Sequence, residues 1–222
     1  NNTASNTFNY THAIPPVISN TAISTNNALA NTRAKVGDII TLTFVSDINI
    51  NSPTVAFTSG GQAITNSVSI SGDPSATSWT ATYIIHGSDT EGSVAISIVA
   101  TSTAGTQASA HTTISSGSVT VDKTAPTFSS ISPSANGYMS TTAVGYTLSE
   151  ALSSGTVTFE RTGGSGASDV TVSLTGAELN AGARSSAVLT NPPTLVNNAI
   201  YAIKFNGVDL SGNIASTTTK TN

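Results

Sequence analysis

The chain has 222 residues, a length that suits two domains of about 100 residues or one large β domain. Only 8% of its residues are charged and the formal net charge is -4, so the chain lacks the basic surface that a phosphate backbone requires, and nucleic acid is excluded as a partner. It contains no cysteine, which excludes disulfides and thiolate metal sites, and no apolar run long enough to span a bilayer.

Residues 1–14 form an Asn- and Thr-rich N-terminal arm that differs from the rest of the chain. Within this arm, Phe8 and Tyr10 fall on one face of a predicted strand. Three alternatives stay open: a remnant of a preceding domain, a disordered tail, or a donor strand that completes a sheet in a neighbouring subunit and so builds a fibre. The donor-strand hypothesis assigns Phe8 and Tyr10 to assembly.

Short strands with a period of two follow the arm. Ile40, Leu42 and Phe44, for example, alternate with threonines, and β-branched residues are abundant throughout. Clusters of Gly, Asn, Pro and Ser separate such runs at the spacing typical of a β-sandwich. No segment has a clear helical period, and the region from Gly176 to Ala183 offers at most one turn.

The second half of the chain repeats the order of the first at an offset of about 100 residues. In each half, a strand, an acidic turn and a second strand lead to a Gly-Gly pair, Gly60-Gly61 in the first and Gly163-Gly164 in the second. Pro126 keeps the connection between the halves extended. The sequence therefore predicts two tandem antiparallel β-sandwiches, residues 15–122 and 123–222, joined by a short extended linker.

Residues 121–127 (Val-Asp-Lys-Thr-Ala-Pro-Thr) resemble the junction between tandem bacterial immunoglobulin-like domains of cell-surface proteins and adhesins. The segments 146–150 (Tyr-Thr-Leu-Ser-Glu) and 209–213 (Asp-Leu-Ser-Gly-Asn) are also similar to that family. The resemblance covers about residues 15–222. It implies that the two sandwiches are immunoglobulin-like and that the protein is extracellular, at the cell surface or secreted.

The few acidic residues include a set that we expect to gather where the two sandwiches join. Glu150 in one predicted loop, and Asp209 and Asn213 in another, fall at the N-terminal end of the second sandwich, beside Asp122. Carboxylates held together repel one another, and a hard cation with oxygen ligands relieves that repulsion. The resemblance implies calcium at such junctions. We therefore predict a single calcium site formed by Asp122, Glu150, Asp209 and Asn213.

By the same count of loops, Asp38, Asp89 and Glu91 fall at the end of the first sandwich that leads to this junction. The alternative to metal binding is that these Asp and Asn side chains cap turns by accepting hydrogen bonds from their own backbone. The sequence leaves the choice between calcium and capping open.

An enzyme is not expected. His12, His86 and His111 are not expected to form a catalytic pair with an acid, and the chain has no G-x-S-x-G elbow. The prediction is a non-catalytic extracellular structural module of a bacterial surface protein, surface layer or self-assembling fibre. Its partners would be copies of itself or neighbouring domains of the same assembly. The alternative is an adhesin segment that binds a ligand such as a glycan or acts as a rigid spacer.

Overall fold

A computed structural model describes residues 14–135, 137–166 and 168–221. In these ranges the chain is almost entirely β-structure, and its strands pair in antiparallel sheets. The predicted all-β sandwich fold is thereby confirmed. No helix in the same ranges is long and apolar enough to cross a membrane.

In the described ranges the secondary structure consists of strands and one turn of 3₁₀ helix, η1 (Gly176–Leu179). This turn lies within the region where the sequence allowed one. In chain order, the strands are β1 (Ile18–Thr25), β2 (Arg33–Ala34), β3 (Ile39–Ser46), β4 (Thr54–Ser59), β5 (Gln62–Ala63), β6 (Ser69–Gly72), β7 (Ser78–Ile84), β8 (Gly92–Val99), β9 (Thr120–Val121), β10 (Phe128–Ser132), β11 (Ala143–Leu148), β12 (Leu152–Gly164), β13 (Val170–Ser173), β14 (Gly182–Val188), β15 (Ala199–Asp209) and β16 (Thr218–Lys220).

The chain divides into two compact units. Unit 1 consists of the described residues up to Asn26 together with Val36–Val121. Unit 2 consists of Asn27–Lys35 and of the residues from Asp122 onward. The segment Asn27–Lys35 groups with unit 2, although its position in the sequence lies within residues 15–122.

Unit 1 contains a sheet with the strand order β1-β3-β7-β6 and a second sheet in which β9, β8, β4 and β5 are neighbours in that order. The period-two pattern predicted for β3 is present: Ile40, Leu42 and Phe44 are at most 1% exposed, while the intervening threonines point outward. Phe57 of β4 and Tyr83 of β7 bring the two sheets together, with ring centroids 6.2 Å apart. Burying each such side chain stabilises the unit by about 1.5–3 kcal/mol.

Unit 2 contains a sheet β10-β11-β14 and a sheet β13-β12-β15-β16. Aromatic rings from both sheets form the centre of its core. Phe205 of β15 lies 5.3 Å from Phe128 of β10 and 5.4 Å from Tyr146 of β11, measured between ring centroids. At these centroid distances the rings are in contact, and they fill the space between the two sheets with large apolar surface.

One glycine of each Gly-Gly pair occupies a position that a side chain could not. Gly60 has φ +55, and a Cβ there would lie 2.1 Å from the carbonyl oxygen of Glu91. Gly164 has φ +72, and a Cβ there would lie 2.1 Å from the carbonyl oxygen of Asn198. The repeated Gly-Gly pairs therefore mark places where two backbone segments pack directly against each other.

Candidate metal centre

The structure brings three of the four predicted site residues together through their carboxylates. Asp122 is the first residue of the longer of the two chain segments that form unit 2. Glu150 lies in the turn between β11 and β12, and Asp209 is the last residue of β15. One carboxylate oxygen of each lies within 4.8 Å of the others. Three formal negative charges therefore share a small volume of unit 2, with Asp209 fully buried and the other two half-buried.

Asp209 caps the turn that follows β15. Its Oδ1 accepts the backbone amides of Ser211 at 2.7 Å and Asn213 at 2.8 Å. Its Oδ2 accepts the Asn213 Nδ2 at 2.8 Å. This is the hydrogen bonding that the capping alternative expects of a buried aspartate in a turn.

The same turn holds Asp122 in place. The Ser211 hydroxyl donates to Asp122 Oδ2 at 2.8 Å, and Asn213 Nδ2 donates to the Asp122 carbonyl oxygen at 3.0 Å. The Thr124 amide donates to Asp122 Oδ1 at 3.3 Å. In this network Asn213 acts as a donor that links Asp122 to Asp209, so its predicted role as a metal ligand stays a prediction.

Capping does not exclude a cation at the cluster. Each carboxylate oxygen can accept more than one interaction, and the donors on Asp122 and Asp209 are neutral, so they leave the negative charge in place. The oxygen-only donor set suits a hard cation such as Ca²⁺. The aliphatic part of Lys35 also runs along this turn, because a Cβ on Gly212 would lie 3.2 Å from Lys35 Cε.

Asp89 of unit 1 fits the capping alternative, and its side chain also binds a more distant segment of the chain. It is 1% exposed and accepts hydrogen bonds from the Tyr83 hydroxyl and from the amides of Thr65 at 2.9 Å and His86 at 2.8 Å. Burial alone would raise the pKa of Asp89, but these hydrogen bonds outweigh it and hold the pKa below its ordinary value. Asp89 therefore fastens the loop after β7 to the core.

Glu178 is the corresponding buried carboxylate of unit 2. Its side chain is 0% exposed and accepts the amides of Thr175 at 2.8 Å and Thr190 at 2.7 Å, and the Thr190 hydroxyl at 3.0 Å. Arg184 Nη2 lies 3.5 Å from Glu178 Oε1. Burial favours a raised pKa, but the hydrogen bonds and Arg184 together lower it. The sequence contains one pattern that could have identified Glu178 as a structural residue, the capping box Thr175-x-x-Glu178.

Tyr146 extends the Glu178 network into the core. Its hydroxyl donates to the Glu178 carbonyl oxygen at 2.8 Å, and burial raises the pKa of Tyr146 to about 12. The aromatic core and the buried carboxylate are thus parts of one network. The two predicted assembly residues, Phe8 and Tyr10, lie outside the described residues.

No family model matches the chain, and no curated protein does either. Among solved structures, one that is similar is described as a tetra-tandem repeat in the extending region of a large adhesion protein. It is 16% identical, with a TM-score of 0.31, and the alignment covers 90% of this chain and 49% of that one. A likeness at this level assigns neither a fold relationship nor a function, which must be argued from the molecule itself.

Proposed function

We propose that the chain is a non-catalytic extracellular structural module of a bacterial surface protein, surface layer or self-assembling fibre. The observation that carries the proposal is an uncharged hydroxyl face on unit 1. It is formed by the outer side of the sheet β1-β3-β7-β6, in two rows of residues in register. One row is Ser24, Thr41, Thr82 and Ser69, and the next is Ala22, Thr43, Thr80 and Ser71.

All eight residues of the hydroxyl face are exposed or half-buried, and none carries a charge. A broad surface of this kind can contact a neighbouring module through hydroxyl groups and ordered water. Such contacts do not depend on ion pairs, which salt screens. This chemistry suits lateral packing in an extracellular assembly better than electrostatic capture of a charged ligand.

The sheet edges support the same proposal. β6 and β13 are edge strands, each paired on one side, and neither contains a charged residue or a proline. Natural proteins commonly protect exposed edges with such residues. Two unprotected edges, one in each unit, are therefore suited to receive a strand from another chain.

Electron microscopy of the full chain tests self-assembly. We expect ordered fibres or sheets, and we expect them to disappear when residues 1–14 are deleted or when Phe8 and Tyr10 are both changed to serine. The matched control changes Asn9 and Thr11 to serine, because these residues alternate with Phe8 and Tyr10. Monomers of the unmodified chain under all conditions, with and without calcium, would contradict assembly and leave a spacer or ligand-binding segment as the function.

We further propose that Asp122, Glu150 and Asp209 bind one Ca²⁺, which neutralises their charge and stabilises unit 2. Calcium at about 100 times its dissociation constant should stabilise the folded unit by about 2.7 kcal/mol. Calorimetric unfolding of the chain in Ca²⁺ and in chelator measures this difference in the free energy of unfolding. Glu150→Gln is the most informative variant, because Asp209 also caps its own turn.

The control for calcium binding is Glu160→Gln. Glu160 lies in the same unit, outside the cluster, and pairs with Lys204 at 2.7 Å. We expect this variant to keep the full calcium response and Glu150→Gln to lose most of it. An unmodified chain that is equally stable in Ca²⁺ and in chelator would contradict the calcium proposal and leave turn capping as the role of these carboxylates.

A further inference from the structure

Unit 2 has a surface groove that is separate from the candidate metal centre. It has a volume of about 910 Å³. One wall is the connection from β10 to β11, around Tyr138, and the other is the segment from Leu195 to Tyr201 that leads into β15. The volume lies within the range of pockets that hold small organic ligands, and none of the three clustered carboxylates lines the groove.

The polar lining of the groove consists mainly of amides and hydroxyls. Asn197 and Asn198 form the tip of a turn that is closed by the Ala199 amide donating to the Val196 carbonyl at 3.2 Å. Both Asn side chains are exposed, and within the described part of the chain neither has a hydrogen-bond partner. Lys220 is the single charged residue among the described lining residues. The groove therefore offers neutral donors and acceptors, with little charge to select an ionic ligand.

Aromatic and aliphatic surface lies beside these amides. Tyr138 is 104% exposed, so neither face of its ring packs against the protein. Tyr201 is fixed: its hydroxyl accepts the Val196 amide at 3.2 Å, and its ring meets Phe159 edge to face at 6.5 Å. Ile200 is 44% exposed in the same groove. The groove therefore presents an exposed aromatic ring on one wall and amides on the other, which suits a ligand with both apolar and polar faces.

We propose that this groove binds a neutral oligosaccharide of roughly two or three sugar rings. A pyranose ring has an apolar face of C–H groups that stacks on an aromatic ring, and a rim of hydroxyls that exchange hydrogen bonds with amides. Tyr138 supplies the stacking surface, and Asn197 and Asn198 supply the donors and acceptors. The inference goes beyond the proposed structural function and does not depend on self-assembly.

Saturation-transfer NMR and calorimetry on the full chain test this inference. The probes are neutral trisaccharides of glucose, mannose, galactose and N-acetylglucosamine. We expect at least one of them to bind, and Tyr138→Ala to weaken its binding about tenfold without changing the melting temperature, because the ring has no intramolecular packing to lose. The control is Val188→Ala, which removes a 51% exposed apolar side chain of unit 2 that does not line the groove.

Three results would overturn the inference. These are no binding by any of the four probes, binding that Tyr138→Ala leaves unchanged, and a Tyr138→Ala variant that alters self-association while saccharide binding is absent. The last result would identify a second copy of the chain as the occupant of the groove. Assembly and saccharide binding have separate readouts, micrographs for one and spectra for the other, so that failure of one proposal is distinguishable from failure of the other.

Discussion

Changing Glu178 to alanine is expected to destabilise unit 2 by about 3–5 kcal/mol, the usual cost of removing one partner from a buried charged network. The variant leaves the amides of Thr175 and Thr190 without their acceptor, and each unsatisfied buried group costs about 1–3 kcal/mol. It also removes the carboxylate beside Arg184. A loss of this size is a large fraction of the stability of a small domain. Calorimetry of the full chain measures it.

Two further variants separate the contributions of Glu178. Glu178→Gln keeps an acceptor oxygen and the side-chain volume, so we expect it to cost less than alanine. Arg184→Met should cost less still, because the Arg184 contact is long, at 3.5 Å, and the arginine side chain is 26% exposed. If Arg184→Met proved as harmful as Glu178→Ala, the ion pair rather than the backbone hydrogen bonds would be the main source of stability.

Changing Asp89 to alanine is expected to destabilise unit 1 by about 2–4 kcal/mol, since it leaves the buried Tyr83 hydroxyl and the His86 amide without an acceptor. The Thr65 amide keeps only its longer contact to the Tyr83 hydroxyl, at 3.3 Å. The chain has a single tryptophan, Trp79, which is 3% exposed in the core of unit 1. The fluorescence of Trp79, monitored during denaturation, therefore reports on the unfolding of unit 1. Asp73→Ala is the control, because Asp73 is exposed and, among the described residues, its side chain bonds only to Ser75 of the same turn.

The stabilisation of unit 1 by Asp89 is expected to depend on pH in a definite direction. Its pKa is lower in the folded protein than in the unfolded chain, where it is about 4. The stabilisation is therefore complete above pH of about 4 and is lost as the pH falls through the folded pKa. Asp89→Asn should lower stability at pH 7 and differ less from the unmodified chain in acid. An equal difference at both pH values would show that the charge of Asp89 is unimportant.

Asp89 in unit 1 and Glu178 in unit 2 have similar structural roles. Each is buried in a chain with few charges, and each accepts backbone amides from segments that belong to no strand. Each also involves a core tyrosine, Tyr83 through its hydroxyl on Asp89 and Tyr146 through its hydroxyl on the Glu178 carbonyl. A protein that surrounds its sheets with Ser, Thr and Asn thus uses a buried acid in each unit to fix long connections to the core.

The strands were the part of the structure most open to prediction from sequence. Alternation such as Ile40, Leu42 and Phe44 places one face of a strand inside and the other outside whatever its neighbours are, so it is visible in a single chain. The proximity of Asp122, Glu150 and Asp209 was also predictable, since their loops follow from strand count and the family resemblance. The assignment of Asn27–Lys35 to unit 2 was not predictable from the sequence, because it depends on packing between distant parts of the chain.

The sequence by itself determined that this protein is built from antiparallel strands, that it lacks cysteine chemistry and a basic surface, and that it is poor in charge and rich in hydroxyls. Such properties are set by composition and local periodicity. Only the tertiary structure decided which carboxylates are buried, that Asn213 Nδ2 donates to Asp209, and that an exposed Tyr138 lines the same groove as Asn197. The physical reason is that a side chain's burial and partners depend on residues far away in the sequence, brought close by sheet packing.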